Sequence, residues 1–350
     1  MPQAELGLHQ LLNTLYVSTQ GAYVHVDHET LKVELERQVL LQVPTHHLSG
    51  LVCFGNVRVS SEALAQCAEE GRSVVLLSRS GRFRARVVGP ISGNVLLRRA
   101  QHAALDSPER TLAIARNITA AKIQNVRQVL LRGARQAKGV EAAQALRAAG
   151  EHLERVLGTL PKVGDLDTLR GREGEAALEY FSVFRYLVLE DAETFHFDGR
   201  NRRPPRDPMN ALLSFIYALL MGDCVAGLEG VGLDPQIGYL HTLRPARPAL
   251  ALDLLEELRA PVGERLALTL VNRRQITKED FEESPGGGVS LTERGRKEVV
   301  TAYQKRKSEE VRHEVLDRSV PLGLLPHVQA RLLARHLRGD MEAYLPYVAG

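Results

Sequence analysis

What most constrains this chain is a change of hydrophobic period at Gly89-Pro90-Ile91-Ser92-Gly93. Before it, short runs rich in β-branched residues are divided by turn formers such as Thr19-Gln20-Gly21 and Asp27-His28-Glu29. Leu15–Val17, Tyr23–Asp27, Leu31–Leu35, Val39–Val43, Leu51–Phe54, Ser73–Ser78 and Arg82–Val88 are therefore predicted strands. One helix interrupts them, with Ser60 as N-cap, Leu64, Cys67 and Ala68 as apolar residues and Gly71 as its stop. Beyond the punctuation, apolar residues recur at three- and four-residue spacing. Leu112, Ala115, Ile118, Ala121, Ile123 and Val126 predict one helix, and Ala143, Leu146 and Leu153 a second. Others are expected over Gly174–Leu189, Ala211–Gly222, Leu250–Leu258 and Val328–Leu337, with Glu283–Gly288 as a loop or hairpin excursion. The expected fold class is α+β: a β-rich N-terminal domain over 1–90, then a larger all-helical catalytic domain over 91–350.

At 350 residues the chain has room for two cores. Tryptophan is absent and aromatic residues make up 5%, which excludes base stacking as the main mode of any nucleic-acid binding. Cys53, Cys67 and Cys224 form no CxxC pair, which argues against a disulfide framework, a zinc ribbon or an iron–sulfur site and suits a reducing cytoplasm. The first fifteen residues carry no secretory pattern, and Ala211–Gly222 is too short to cross a bilayer, so no membrane association is expected. A net charge of +3 says little, but its distribution says more. From Arg84 to Arg135 there are ten Lys or Arg residues against only Asp106 and Glu109, which is either a footprint for a polyanion or a solvated helical face.

Three segments of the helical part carry groups suited to chemistry. Glu173 is read at a helix start, where amide dipoles favour a carboxylate; by itself it serves equally as a first-turn glutamate. His241 follows Gly227, Gly230, Gly232, Pro235 and Gly238, so it enters the next element from a constrained turn. Asp253 and Glu256, three apart, share one face of an apolar helix, a costly arrangement unless the carboxylates are solvated, paired or bound to a cation. Glu257 falls off that face and needs no role. An imidazole with two or three carboxylates suits Mg²⁺ or Mn²⁺ better than zinc, and phosphoryl chemistry would use such an ion. Spacing alone does not bring the three segments together. His25, Asp27, His28, His46 and His47 form no compact set, and Gly286-Gly287-Gly288 lacks the Lys-Ser/Thr of a phosphate loop.

Three runs, Arg170–Phe181, Arg202–Phe215 and His241–Arg259, resemble in order and spacing the signature blocks of the CRISPR-associated integrase family. Leu11–Val17, Gly81-Arg82-Phe83 and Leu337-Arg338-Gly339-Asp340 resemble its subtype I-C branch, so the likeness spans nearly the whole chain. Carried over, the resemblance implies that Glu173, His241 and Glu256 are metal ligands, with Asp253 at the family's other acidic position beside the metal. Glu256 stands where many members carry aspartate. Ala246 and Ala249 stand where related sequences tend to carry Gly and Ser, which touches local substrate contacts and leaves metal binding intact. Arg244 falls where the family carries a basic residue facing DNA.

The resemblance further implies an asymmetric homodimer and double-stranded DNA as substrate. Two such dimers flank a dimer of a small ferredoxin-like partner, and an iron–sulfur nuclease often trims the incoming DNA. Arg200, Arg202, Arg203 and Arg206 crowd a proline-rich loop, as either phosphate contacts or a solvated loop. Arg84, Arg86, Arg98 and Arg99 are candidates for holding duplex DNA, and Tyr217 either approaches the site or belongs to the core. The expected reaction joins a 3′-hydroxyl to the repeat boundary by transesterification. The rivals are a general metal-dependent nuclease and a non-catalytic DNA-binding scaffold.

Overall fold

The computed structural model describes residues 8–11, 14–48, 50–78, 83–87, 89 and 95–350. Among them, nine strands and one α-helix precede residue 90. A five-stranded sheet is ordered β1-β2-β6-β8-β9, built from β1 (Leu8–Leu11), β2 (Thr14–Val17), β6 (Gly50–Phe54), β8 (Ser73–Leu77) and β9 (Phe83–Val87). A four-stranded sheet is ordered β5-β4-β3-β7, from β3 (Tyr23–Asp27), β4 (Thr30–Leu35), β5 (Gln38–Pro44) and β7 (Arg58–Val59). Helix α1 (Ser61–Glu69) starts where the capping signal places it: the Ser60 side chain accepts from the Ala63 amide, a bond worth about 1 kcal/mol.

Period-two alternation explains how this part joins the rest. In the parallel pair β6 and β8, Leu51, Cys53 and Val74 enter a core shared by both sheets and α1. Their neighbours Phe54, Val75 and Leu77 point the other way, into the helical core. The middle strands β6 and β8 are covered on both faces and read as continuous apolar runs for that reason. Arg86 on β9 reaches Glu229, so its charge is used within the protein and is not free for DNA. The expected boundary at 90, and Leu12, Asn13, Gly81 and Arg82 of the resembling runs, lie outside the described residues.

The remainder is mostly helical: α2 (Val95–Leu105), α3 (Pro108–Gln136), α4 (Val140–Thr159), α5 (Leu166–Val183), α6 (Pro208–Gly230), α7 (Ala249–Leu258), α8 (Arg265–Asn272), α9 (Glu293–Lys307) and α10 (Leu325–Arg338). It is not all-helical, because two antiparallel pairs lie within it. These are β10 (Phe281–Glu283) with β11 (Val289–Leu291), around the triple glycine, and β12 (Glu310–His313) with β13 (Arg318–Pro321). Helix α6 also corrects the sequence reading. Capped by Asp207 and opened by Pro208, it runs 23 residues, long and apolar enough to cross a membrane. Its residues Leu212, Leu213, Ile216 and Leu220 are instead buried against neighbouring helices, so it is the central beam of the core.

The long helix α3 packs against α4, α5 and α7, and α6 packs against α7 and α10. Helix α7 therefore has protein on every side; Glu257, expected to need no role, is fully buried. Its carboxylate accepts from the Tyr347 amide, the Tyr344 hydroxyl and Gln329, the last at 2.7 Å. Burial pushes this carboxyl up to about 7 despite those donors. Pro261, four residues on, cannot donate to the Glu257 carbonyl, and Asn125 Nδ2 takes that place at 2.8 Å. The helix widens there into a π-type turn, Arg259–Glu264.

Candidate active site

Helices α3, α5 and α7 meet along three buried stripes, each broken by one charged residue or more. On α5 the stripe is Leu169, Glu173, Ala176 and Tyr180, at spacings of four, three and four. The structure corrects the reading of Glu173 as a first-turn residue. Asp165 caps α5 by accepting from Thr168 at 2.8 Å, and Glu173 lies two turns inside. Gly171 and Gly174 look like breakers in sequence, but packing by the apolar stripe carries the helix through them. On α3 the stripe is Ile118, Lys122, Val126 and Val129. On α7, Asp253 and Glu256 are both buried, as their shared face requires.

His241 comes from the irregular segment between α6 and α7, which is pinned from three sides. Gln101 on α2, fully buried, donates to the carbonyls of Asp234 and Ile237 and accepts from the Asp234 amide. Arg170 on α5 donates to the Leu240 carbonyl at 2.9 Å. Asp253 on α7 accepts from the amides of Tyr239, Leu240 and His241 at 2.6, 3.0 and 2.9 Å. Gly238 allows the close approach: a Cβ there would lie 2.6 Å from the Ala249 carbonyl carbon.

Ala246 in the same segment adopts φ +59°, a left-handed conformation that glycine reaches more easily. Replacing it by glycine is expected to raise stability by about 0.5–1 kcal/mol, read as a higher melting temperature. An unchanged or lower melting temperature would show that the segment bears no strain at Ala246.

Asp253 also contacts His241 Nδ1 at 2.7 Å. A carboxylate only accepts, so Nδ1 carries a proton and donates it to Asp253, which leaves Nε2 as the ring nitrogen on the other side, 3.7 Å from Glu256 Oε1. Asp253 thus orients the imidazole, standing one residue behind it, with its own oxygens spent on the loop. Glu256 is 3% exposed. Burial alone would raise its carboxyl, but Arg259 at 3.1 Å, Lys122 at 2.7 Å and His241 outweigh that and hold it down to about 2. The Lys122 ammonium also touches Glu173 Oε1, bridging the two carboxylates. Burial pulls this ammonium down, and Glu256 and Glu173 more than reverse it.

Beneath lies a cleft of about 380 Å³, part of it open solvent, walled by Ile123, Val126, Ala176 and Phe181. At its floor Glu264 accepts from Tyr180 and Tyr217 at 2.6 and 2.7 Å. Burial raises both tyrosines well above their usual range, with the neighbouring Glu264 adding to it. Tyr217 does approach the site from α6, its ring stacked by Arg200 at 5.4 Å and Arg259 at 5.1 Å.

The structure brings Glu173, His241, Asp253 and Glu256 to one place. Among the described residues no three carboxylate, imidazole or thiol groups converge on one point as the side chains stand, because Lys122 lies between two of them. The donor set nevertheless fits a divalent cation. Glu256 Oε2 is buried with no partner but Lys122, and Nε2 of His241 is directed to the same side. Sequence reasoning missed Lys122, Arg259 and Glu264. Lys122 had one usable signal, a cation inside an apolar stripe. Arg202, Arg203 and Arg244 are exposed, as are Arg84 and Arg99, with Arg98 half-buried on α2. Arg200 turns inward to Ser214 Oγ at 3.0 Å and to Asn210.

A family model described as CRISPR associated protein Cas1 matches residues 15–305. A Moorella thermoacetica protein, CRISPR-associated endonuclease Cas1 1, is 56% identical over 97% of this chain and 99% of its own length. A Geobacter sulfurreducens protein, a CRISPR-associated exonuclease Cas4/endonuclease Cas1 fusion, is 37% identical over 95% of this chain and 60% of its own. The solved structure of a CAS1 protein from Thermotoga maritima superposes with a TM-score of 0.78 at 25% identity, covering 97% of this chain and 99% of the other. With both the β-rich part and the buried Glu173–Glu256 cluster inside the matched region, this chain belongs to the Cas1 family of CRISPR-associated endonucleases.

Proposed function

We propose that this chain is the metal-dependent integrase of CRISPR spacer acquisition, with a β-rich unit over 1–90 and a helical catalytic unit over 91–350. The observation that carries the reading is the convergence of Glu173, Glu256 and an imidazole oriented by Asp253 through Nδ1, with Nε2 toward Glu256. Glu173, Glu256 and His241 Nε2 would hold Mg²⁺ or Mn²⁺, which supplies activation of a hydroxyl and compensation of charge on phosphorus. In the reaction, the 3′-oxygen of the incoming fragment forms a bond to phosphorus at the repeat boundary. The bond from that phosphorus to the 3′-oxygen of the preceding nucleotide in the target strand breaks, and the proton of the attacking hydroxyl leaves to solvent as the released oxygen takes one up. Arg244, Arg202 and Arg203 would steady the phosphates at the mouth of the site.

The subtype I-C resemblance extends the proposal to its assembly, in the cytoplasm: a homodimer, paired about a dimer of a small ferredoxin-like subunit. The Cas4 fusion in the Geobacter relative supports an iron–sulfur trimming nuclease as a further partner.

The test incubates this chain and its small partner with labelled duplex and a supercoiled CRISPR plasmid. Mn²⁺-dependent joined product supports the reading. Cleavage without joining would indicate a general nuclease, and chelator-insensitive binding with no product a scaffold. If Arg98 and Arg99 hold duplex phosphates, Arg98→Ala with Arg99→Ala should lower the slope of log affinity against log salt by about one unit for each phosphate left without its arginine. An unchanged slope in binding isotherms would make that stretch of α2 a solvated face.

A further inference from the structure

Lys122 stands where the proposed function needs a divalent cation, and its contacts are those of a stand-in. Its ammonium touches Glu173 and lies 2.7 Å from Glu256 Oε2, so one cation spans both carboxylates. Oε2 has no other partner, and one ammonium does not use all the lone pairs of two carboxylates. A hard divalent ion, with flexible oxygen coordination, would meet them better.

The placement points the same way. Glu173, Glu256 and Asp253 face Lys122 and Arg259, with Glu264 close by, and the Lys122 ammonium lies between Glu173 and Glu256. A divalent cation held by those two carboxylates would take the place of the ammonium and be repelled by it while it stays. Arg259 is fixed between Glu256 and the Tyr217 ring. Lys122 is a point charge on a flexible four-carbon stem, its side chain 13% exposed and lining the cleft.

We propose that Lys122 is the resident counter-ion of the metal-free site and that it exchanges with the entering divalent cation, so that its side chain sets how tightly the site holds metal. The inference rests on the proposed assignment of Glu173 and Glu256 as ligands. In the metal-free protein Lys122 keeps two close carboxylates from repelling each other. When metal enters, displacing the ammonium weakens the apparent affinity, which guards the site against filling at low metal concentration.

The experiment measures Mn²⁺ binding to the full chain without DNA, by calorimetry and by the electron paramagnetic resonance of free Mn²⁺. Melting temperature is followed with and without the ion. Lys122→Met and Lys122→Gln should each bind Mn²⁺ about tenfold or more tightly than wild type, because a competing charge a few ångströms away is gone. Each should melt lower than wild type without metal, and Mn²⁺ should raise its melting temperature by more. Should Lys122→Met fail to fold without metal, Lys122→Gln, which keeps a donor for Glu173, carries the comparison. Equal or weaker Mn²⁺ binding in both variants would overturn the exchange while leaving the ligand assignment standing. Glu173→Gln separates the two ideas: if it binds Mn²⁺ as wild type does, the ligand assignment itself falls.

Discussion

Replacing Glu173 by alanine is expected to lower the rate of strand joining at least ~1,000-fold, the scale of losing a ligand from a catalytic metal site. The fold should survive. Glu173 is one-quarter exposed, and its loss leaves Lys122 still paired with Glu256 and Glu256 still paired with Arg259. The expected loss of stability is at most about 2 kcal/mol, measured by denaturant or thermal unfolding. Glu256→Ala forms the contrast. It strands Arg259, a mostly buried cation, leaves Lys122 with Glu173 alone, and should cost about 3–5 kcal/mol before any chemistry is assayed. Joining at the wild-type rate in Glu173→Ala would remove Glu173 from the mechanism. Equal stability of the two variants would contradict the charge arrangement described for the cluster.

Asp253→Asn should be damaging, less severely, by a different route. The carboxylate accepts four bonds, three from consecutive backbone amides and one from His241 Nδ1. An amide keeps one oxygen and turns an NH₂ toward donors, leaving at least one buried donor unsatisfied at about 1–3 kcal/mol. The imidazole loses the partner that holds a proton on Nδ1, so the ring is no longer fixed with Nε2 toward Glu256. Joining should fall about 10–100-fold, the usual cost of removing a group that orients a metal-ligating histidine. Extra Mn²⁺ should recover part of it, since Glu173 and Glu256 remain. Rates at several Mn²⁺ concentrations, alongside melting curves, measure both effects. Full activity at low Mn²⁺ would mean that Asp253 only staples the loop and does not set the state of His241.

Most of the fold was legible because two periods carry it. The strands from Tyr23 to Phe54 and the helices α3, α4, α7 and α10 follow their apolar patterns to within a few residues. Helix α9 escaped because Arg294, Arg296, Lys297, Lys305, Arg306 and Lys307 dominate its composition, and its buried Val299, Val300 and Tyr303 form a narrow stripe. Helix α5 begins at Leu166, eight residues before the expected start at Gly174, because packing of Leu169 and Ala176 carries it through Gly171 and Gly174. The carboxylates and the histidine were legible as types, and the resemblance named them. Their convergence was not, since it depends on Gln101, Arg170 and Asp253 pinning one irregular segment across long sequence separations. By sequence Lys122 is one of the ten cations of a stretch that reads as either a polyanion footprint or a solvated helical face. Only the packing of α3 against α5 and α7 shows that it faces inward.

The buried Glu257 network ties assembly of the catalytic helix to the order in which the chain is made. Glu257 finds its donors in Gln329, Tyr344 and Tyr347, the last of them 90 residues downstream, and Asn125 takes the Ala349 amide only after that. At ribosomal rates those 90 residues take roughly 5 to 20 s to emerge. Through that interval α7 carries a carboxylate without those donors beside its catalytic face. Docking of residues 344–349 is therefore a late step in assembly of the catalytic helix, because only then does Glu257 have its full set of partners.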